Sequence, residues 1–225
     1  RAELIPAGLI AAPGGSRRIP YLYTHDQIRS LMSRTVIVSP TLMAATMRTT
    51  IGLLAATGLR SGEAAGLNVE DLRHDDAVLV VRGKNRRQRQ IPLHPSTIES
   101  LDDYLEVRAA VAEPTGALLV GAKGGRVNLN VARATFRAIV DDCGLVPRPG
   151  CSPPRLHDLR HTFAVNTLVD ALREGADVDA RLTALSNYLG HVNPVNTYWY
   201  LSASPELMGV VSDQMTARGH QRSTT

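Results

Sequence analysis

A mainly helical α+β fold with a small antiparallel sheet is what this chain predicts, and three observations carry that reading. Most of the length shows apolar residues at helical spacing, punctuated by Gly, Pro and capping residues. In the middle the period changes. Ala77-Val78-Leu79-Val80-Val81 and Gln90-Ile91-Pro92-Leu93 read as two strands joined through Gly83-Lys84-Asn85-Arg86-Arg87. The composition, 44% apolar and 20% charged over 225 residues, suits one globular domain with a substantial core.

Residues 1–20 are rich in Ala, Gly and Pro and begin with Arg rather than Met, so they read as a linker arriving from a missing N-terminal part. Thr24 with Gln27 forms a capping-box pattern and predicts a helix over His25–Arg34. Ser39-Pro40 predicts the next helix with Pro at its first position. That helix carries Leu42, Ala45, Thr49, Leu53 and Ala56 on one stripe and stops at Gly58. Arg60 follows in the turn before a short helix capped by Ser61. After the hairpin, helical pattern returns at Ser96–Val111, and Ala117–Val120 is expected as the third strand. Asn130–Cys143 is a helix closed by Gly144, and 147–154 a Pro/Gly-rich loop. Helices follow at about 156–173 and 179–188. A short helix then bears Tyr200, and Ser204-Pro205 starts a last one. The domain is therefore read as 21–216, with 217–225 as a disordered tail.

The net charge is only +4, but the pI near 9.4 points to a polyanionic partner. Clustering matters more: between Arg82 and Arg89 there are five basic side chains and no acid. Cys143 and Cys151 are too few for a disulfide scaffold and read as reduced thiols of a cytoplasmic protein. No apolar run approaches the ~20 residues that span a bilayer, so no membrane role is expected.

The stretch from Arg155 to Tyr200 concentrates the chemistry. A helix started by Pro154 would place His157, Arg160 and His161 on one face, a costly grouping that suits an anion. Thr57-Gly58-Leu59-Arg60-Ser61-Gly62-Glu63, Gly83-Lys84 ahead of Pro92, His157-x-x-Arg160, Leu189-Gly190-His191 and Tyr200 occur in that order. Each motif alone is weak; five in order make a strong signal. Together they resemble the catalytic domain of the tyrosine recombinases, the phage-integrase family, over roughly residues 20–210.

The resemblance implies a site-specific DNA recombinase that cuts and rejoins strands through a 3′-phosphotyrosyl intermediate, with no cofactor and no metal. Arg60 and Arg160 are forks suited to bidentate phosphate binding, in the place a metal would otherwise fill. His157 and His191 would add hydrogen bonds to the same phosphate, and Tyr200 would attack the phosphorus. Phenol ionises near pH 10, so at pH 7 its deprotonation costs roughly 4 kcal/mol, which a cation cluster can offset. Lys84 at the hairpin tip is the family's general acid for the leaving 5′-oxygen. Glu63 matches a supporting acidic position, or is a helix N-terminal carboxylate. Arg82, Arg86, Arg87 and Arg89 are expected to contact DNA.

Other readings compete. Tyr198 is the second candidate nucleophile, and Trp199 reads as packing. His157 and His161 lack a third ligand at zinc spacing, so a metal pair is disfavoured. A type IB topoisomerase shares the chemistry; a non-catalytic DNA-binding module would be expected to have lost Tyr200 or an Arg; a metal-dependent nuclease would be sensitive to EDTA. The resemblance implies double-stranded DNA as the partner, a homotetramer on DNA at synapsis, and a monomer or weak dimer when the protein is free. With an N-terminal core-binding domain absent, duplex binding by this chain should be weak.

Overall fold

In the computed structural model, residues 19–83, 88–111, 115–147 and 149–190 are described. Seven α-helices and a three-stranded antiparallel sheet make up the described part. Helix α1 spans His25–Arg34, and its capping box forms as expected: the Thr24 hydroxyl accepts from the Gln27 N–H, and the Gln27 side chain accepts from the Thr24 N–H. Before it, Ser152 N–H donates to the Ile19 carbonyl, so the chain enters the fold pinned beside Cys151.

Helix α2, Thr41–Thr57, is the central element. Pro40 is its N-cap rather than its first helical residue, held extended at ψ 172°. Of the expected stripe, Leu42 and Leu53 are buried, but burial extends well beyond it. Ala56 is exposed, while Met43, Met47, Ile51 and Leu54 are buried. Helices α1, α4 (Pro95–Val111) and α6 (Asp158–Arg173) all pack on α2, so it is covered on several sides and a one-sided amphipathic pattern does not apply. Threonines inside it point their hydroxyls to carbonyls one turn back, as Thr46 does to Leu42 and Thr57 to Leu53, so they are buried without loss. Gly58 ends the helix at φ 61°, as predicted.

Helix α3, Ser61–Gly66, begins one residue earlier than a Ser61 cap requires: Arg60 is the N-cap, and its backbone N–H donates to Glu63. Strands β1 (Leu72–Arg73), β2 (Val78–Arg82) and β3 (Gln88–Pro92) are ordered β1-β2-β3. The third strand is thus Leu72–Arg73, not Ala117–Val120. Ala77 is in the turn between β1 and β2 at φ 51°, which is why the strand starts at Val78. The 117–120 segment makes only single bridges, to Asn68 and Arg126, and is buried; Val120 N–H donates to the Tyr104 hydroxyl, which places it against α4.

Helix α5, Leu129–Asp142, is capped by Asn128, and Gly144 follows at φ 63°. Helix α7, Val178–Leu189, packs on α6 through Leu182, Leu185 and Leu189. Both cysteines are free thiols. No helix among the described residues is long and apolar enough to cross a membrane.

A Cβ at Gly58 would stand 2.4 Å from the Phe163 ring, besides the left-handed φ. Gly58→Ala should therefore lose roughly 2 kcal/mol or more of stability, read by denaturant unfolding. Gly66→Ala, where a Cβ meets open space, should be neutral or stabilising.

Candidate active site

Three ends of helices meet at the site. The first is the α2–α3 corner. Gly58 turns the chain so that Arg60 caps α3, and Glu63, one turn on, reaches back to it. Glu63 Oε2 accepts from the Arg60 backbone at 2.9 Å, and Oε1 accepts from Arg60 Nη1 at 2.9 Å. The third nitrogen of that guanidinium, Nη2, donates to the Gly190 carbonyl at 3.2 Å. Arg60 remains 41% exposed, which makes it the outward-facing cation of the site.

The second is the start of α6. Its first turn is drawn tight by Asp158, fully buried, which accepts from the Arg155 backbone and from Arg155 Nε and Nη2. Tyr23 ties the same turn down: its hydroxyl donates to the Arg155 carbonyl, and its N–H to the Thr162 hydroxyl. Burial pushes Asp158 up and Tyr23 far up, so at neutral pH the phenol of Tyr23 is a neutral strut.

His157 is the N-cap of α6 rather than a residue within it, because the helix starts at Asp158 and not at Pro154. The spacing still brings His157 and His161 together, edge to face with ring centroids 4.9 Å apart. Arg160 does not join them on an open face. It is 2% exposed, with Nη1 donating to the Gly58 carbonyl at 2.7 Å and Nη2 to the Leu189 carbonyl at 2.8 Å.

The third end is the C-terminus of α7. Its last carbonyls, Leu189 and Gly190, face Arg160 and Arg60 in turn, where the negative end of a helix favours cations. Two guanidiniums separated by a hundred residues are thereby held on consecutive carbonyls.

This crowding of cations shows in His157. Desolvation first, then Arg160, Arg155, Arg60 and Arg133, push its imidazole down to about 4. The residue is exposed, which screens part of this push, and the imidazole is neutral at pH 7. Arg155 and Arg133 were not among the expected site residues. The Arg155/Asp158 spacing hints at the first; Arg133, on α5, gives no local signal.

Glu63 goes the other way. Burial opposes its charge, but hydrogen bonds from Arg89 and from Arg60 overcome that and hold it at about 2. Arg89, expected among DNA-contacting cations of the hairpin, is turned inward: it is 18% exposed and its Nη1 and Nη2 donate to Glu63 Oε1 and Oε2 at 3.1 and 2.8 Å. Arg82 is about half exposed and tethered to Asp71 at 3.0 Å. Lys84, Arg86, Arg87, His191, Tyr198, Trp199, Tyr200 and the expected C-terminal helices lie outside the described residues. Among the described residues no three His, Cys, Asp or Glu side chains gather as a metal site.

A model of the phage integrase family matches residues 22–206. An integrase/recombinase of Sinorhizobium fredii is 36% identical over 99% of this chain and 74% of its own length. The tyrosine recombinase XerD of Mycobacterium tuberculosis is 32% identical over 88% of this chain and 62% of its own. Among solved structures, XerA recombinase superposes with a TM-score of 0.69 at 21% identity, over 88% of this chain and 65% of that one. The XerH site-specific recombinase bound to a palindromic difH substrate gives 0.66 at 19%, over 87% and 53%. The chain spans between about half and three quarters of the length of these proteins.

Two titrations check the electrostatics. Glu63 has a folded pKa below its unfolded one, so it stabilises the fold above about pH 4.5, and that contribution, about 3 kcal/mol, is lost as pH falls towards 2. The difference in Tm between the parent and Glu63→Gln should therefore shrink across that window. His157 has a depressed pKa, so the unfolded chain takes up its proton first and stability declines as pH falls from about 6.5 to about 4. Followed by NMR, its imidazole should titrate well below 6.5 and move upward in Arg60→Ala.

Proposed function

The chain belongs to the phage integrase family of tyrosine recombinases, and on that premise we propose that it cuts and rejoins duplex DNA at a specific site through a 3′-phosphotyrosyl intermediate. The observation that supports this best is the meeting of Arg60 and Arg160 at the carbonyls that lead into His191. Three motifs remote in sequence thereby reach one place, with charge of the sign a phosphate needs.

The steps follow from the side chains. A backbone phosphate docks against the exposed guanidinium of Arg60, with Arg160 behind it adding a fixed positive field and His191 adding a hydrogen bond. The Tyr200 oxygen attacks phosphorus while the bond to the 5′-oxygen breaks. His157, kept neutral by desolvation and by its cationic neighbours, has a lone pair for the phenolic proton, and the arriving phosphate raises its basicity. Lys84 gives its proton to the departing 5′-oxygen. The new ester conserves the bond energy, so a second 5′-hydroxyl reseals the strand by the reverse path. Arg82, Arg86 and Arg87 follow the DNA backbone from the hairpin. Strand exchange assembles four copies on DNA; the free protein is a monomer or weak dimer, working in the cytoplasm.

The test uses a pool of randomised duplexes carrying a nick, which traps the cleaved state because the short fragment diffuses away. The parent should yield a covalent adduct on a denaturing gel in the presence of EDTA. Tyr200→Phe should yield none, and Tyr198→Phe should retain it. Arg60→Ala should slow adduct formation by about 10²–10³-fold, as loss of a charge-stabilising donor does. An adduct in Tyr200→Phe, or cleavage abolished by EDTA, would overturn the assignment.

A further inference from the structure

Arg89 was expected to face DNA, yet its fork is spent inside the protein. Each Glu63 oxygen receives two donors: Oε1 from Arg60 Nη1 and Arg89 Nη1, Oε2 from the Arg60 backbone and Arg89 Nη2. A carboxylate held at four points cannot turn, so the place of Arg60 depends on the place of Arg89. Arg89 also lies against Gly190: a Cβ there would stand 3.4 Å from Arg89 Nη1, and the residue has φ +66°. That distance is an ordinary contact, so the guanidinium lies directly against the turn, and it is the left-handed φ that calls for glycine there. Arg89 stands on β3, and in the sequence Lys84 lies between β2 and β3.

We propose that Arg89 is a positioning residue, which by gripping Glu63 and lying against Gly190 locks the basic hairpin to the Arg60 guanidinium and to the turn leading into His191. The consequence is registration. The sequence sets Lys84 between two strands of the sheet, while Arg60 and Arg160 stand at helix ends, and Arg89 joins the sheet to those ends. A lysine in its place keeps the charge but cannot span both carboxylate oxygens. The role rests on the recombinase reading above, and the experiment separates the two.

The test measures single-turnover adduct formation on the duplex trapped by the parent, at saturating protein, with Arg89→Ala, Arg89→Lys, Glu63→Gln and the Arg89→Ala/Glu63→Gln double variant. A misplaced reacting group costs about a hundredfold, so the rate constant at saturation should fall by that order in Arg89→Ala. Arg89→Lys should not restore it, and the double variant should be little slower than Glu63→Gln alone. The slope of log affinity against log salt should stay unchanged, because no phosphate contact has been lost. In Arg89→Ala, NMR titration should find the Glu63 carboxyl displaced upward. A salt slope reduced by about one, with the saturated rate intact, would make Arg89 a DNA contact and overturn the proposal. Full activity in Arg89→Lys would overturn it too. If Arg89→Ala does not fold, Arg89→Lys carries the rate and salt comparisons. If the parent forms no adduct, the recombinase reading fails separately; the Glu63 titration then decides the lock, and an unmoved carboxyl sinks it.

Discussion

A guanidinium buried at the junction of three helices is the constraint on which the rest of this structure depends. Removing a charge of that size from water costs several kcal/mol unless its N–H groups are filled. Arg160 meets that condition by donating to the carbonyls of Gly58 and Leu189. Those two carbonyls are the open C-terminal ends of α2 and α7, which lack partners inside their own helices. The buried cation and the orphaned acceptors satisfy one another, so α2, α6 and α7 are held at one relative position. Leaving any one of the three out would strand a charge or a carbonyl in the interior.

The surrounding packing follows from that junction. Phe163, one turn along α6, stacks on Tyr188 of α7 with centroids 5.6 Å apart and fills the space left by the missing side chain of Gly58. Tyr188 donates to the carbonyl of Thr57, so a second acceptor at the end of α2 is answered from α7. With the corner fixed, Arg60 emerges beside the buried Arg160, and desolvation together with these cations depresses His157. Glu63 supplies the compensating negative charge from behind, where it orients Arg60 without neutralising the outward face. Fixed cations in front and a fixed anion behind are a preorganised field of the sign that suits an anion.

The elements whose signals are local were legible in advance. The Thr24/Gln27 box, the stop at Gly58 and the close of α5 at Gly144 each involve residues within a turn of one another, and the structure has them where the pattern says. The third strand was not legible, because Leu72–Arg73 is two residues long and sits in a polar stretch, whereas Ala117–Val120 has the composition of a strand. That segment is apolar because it is buried beside α4, not because it pairs in the sheet. The stripe on α2 misled for a related reason: a helix covered on several sides carries no single apolar face.

The candidate site divides along the same line. The chain by itself determined which residue types are present, their order, and the spacing that sets His157 beside His161, since all of these are properties of one dimension or one helical turn. Only the tertiary structure decided which cation faces outward. Arg60 and Arg160 are the same residue type, yet one side chain is 41% exposed and the other buried, and Arg89, expected to face DNA, holds Glu63 instead. Those choices depend on carbonyls and a carboxylate brought from distant segments, and a guanidinium turns towards whichever acceptors the packing places within reach.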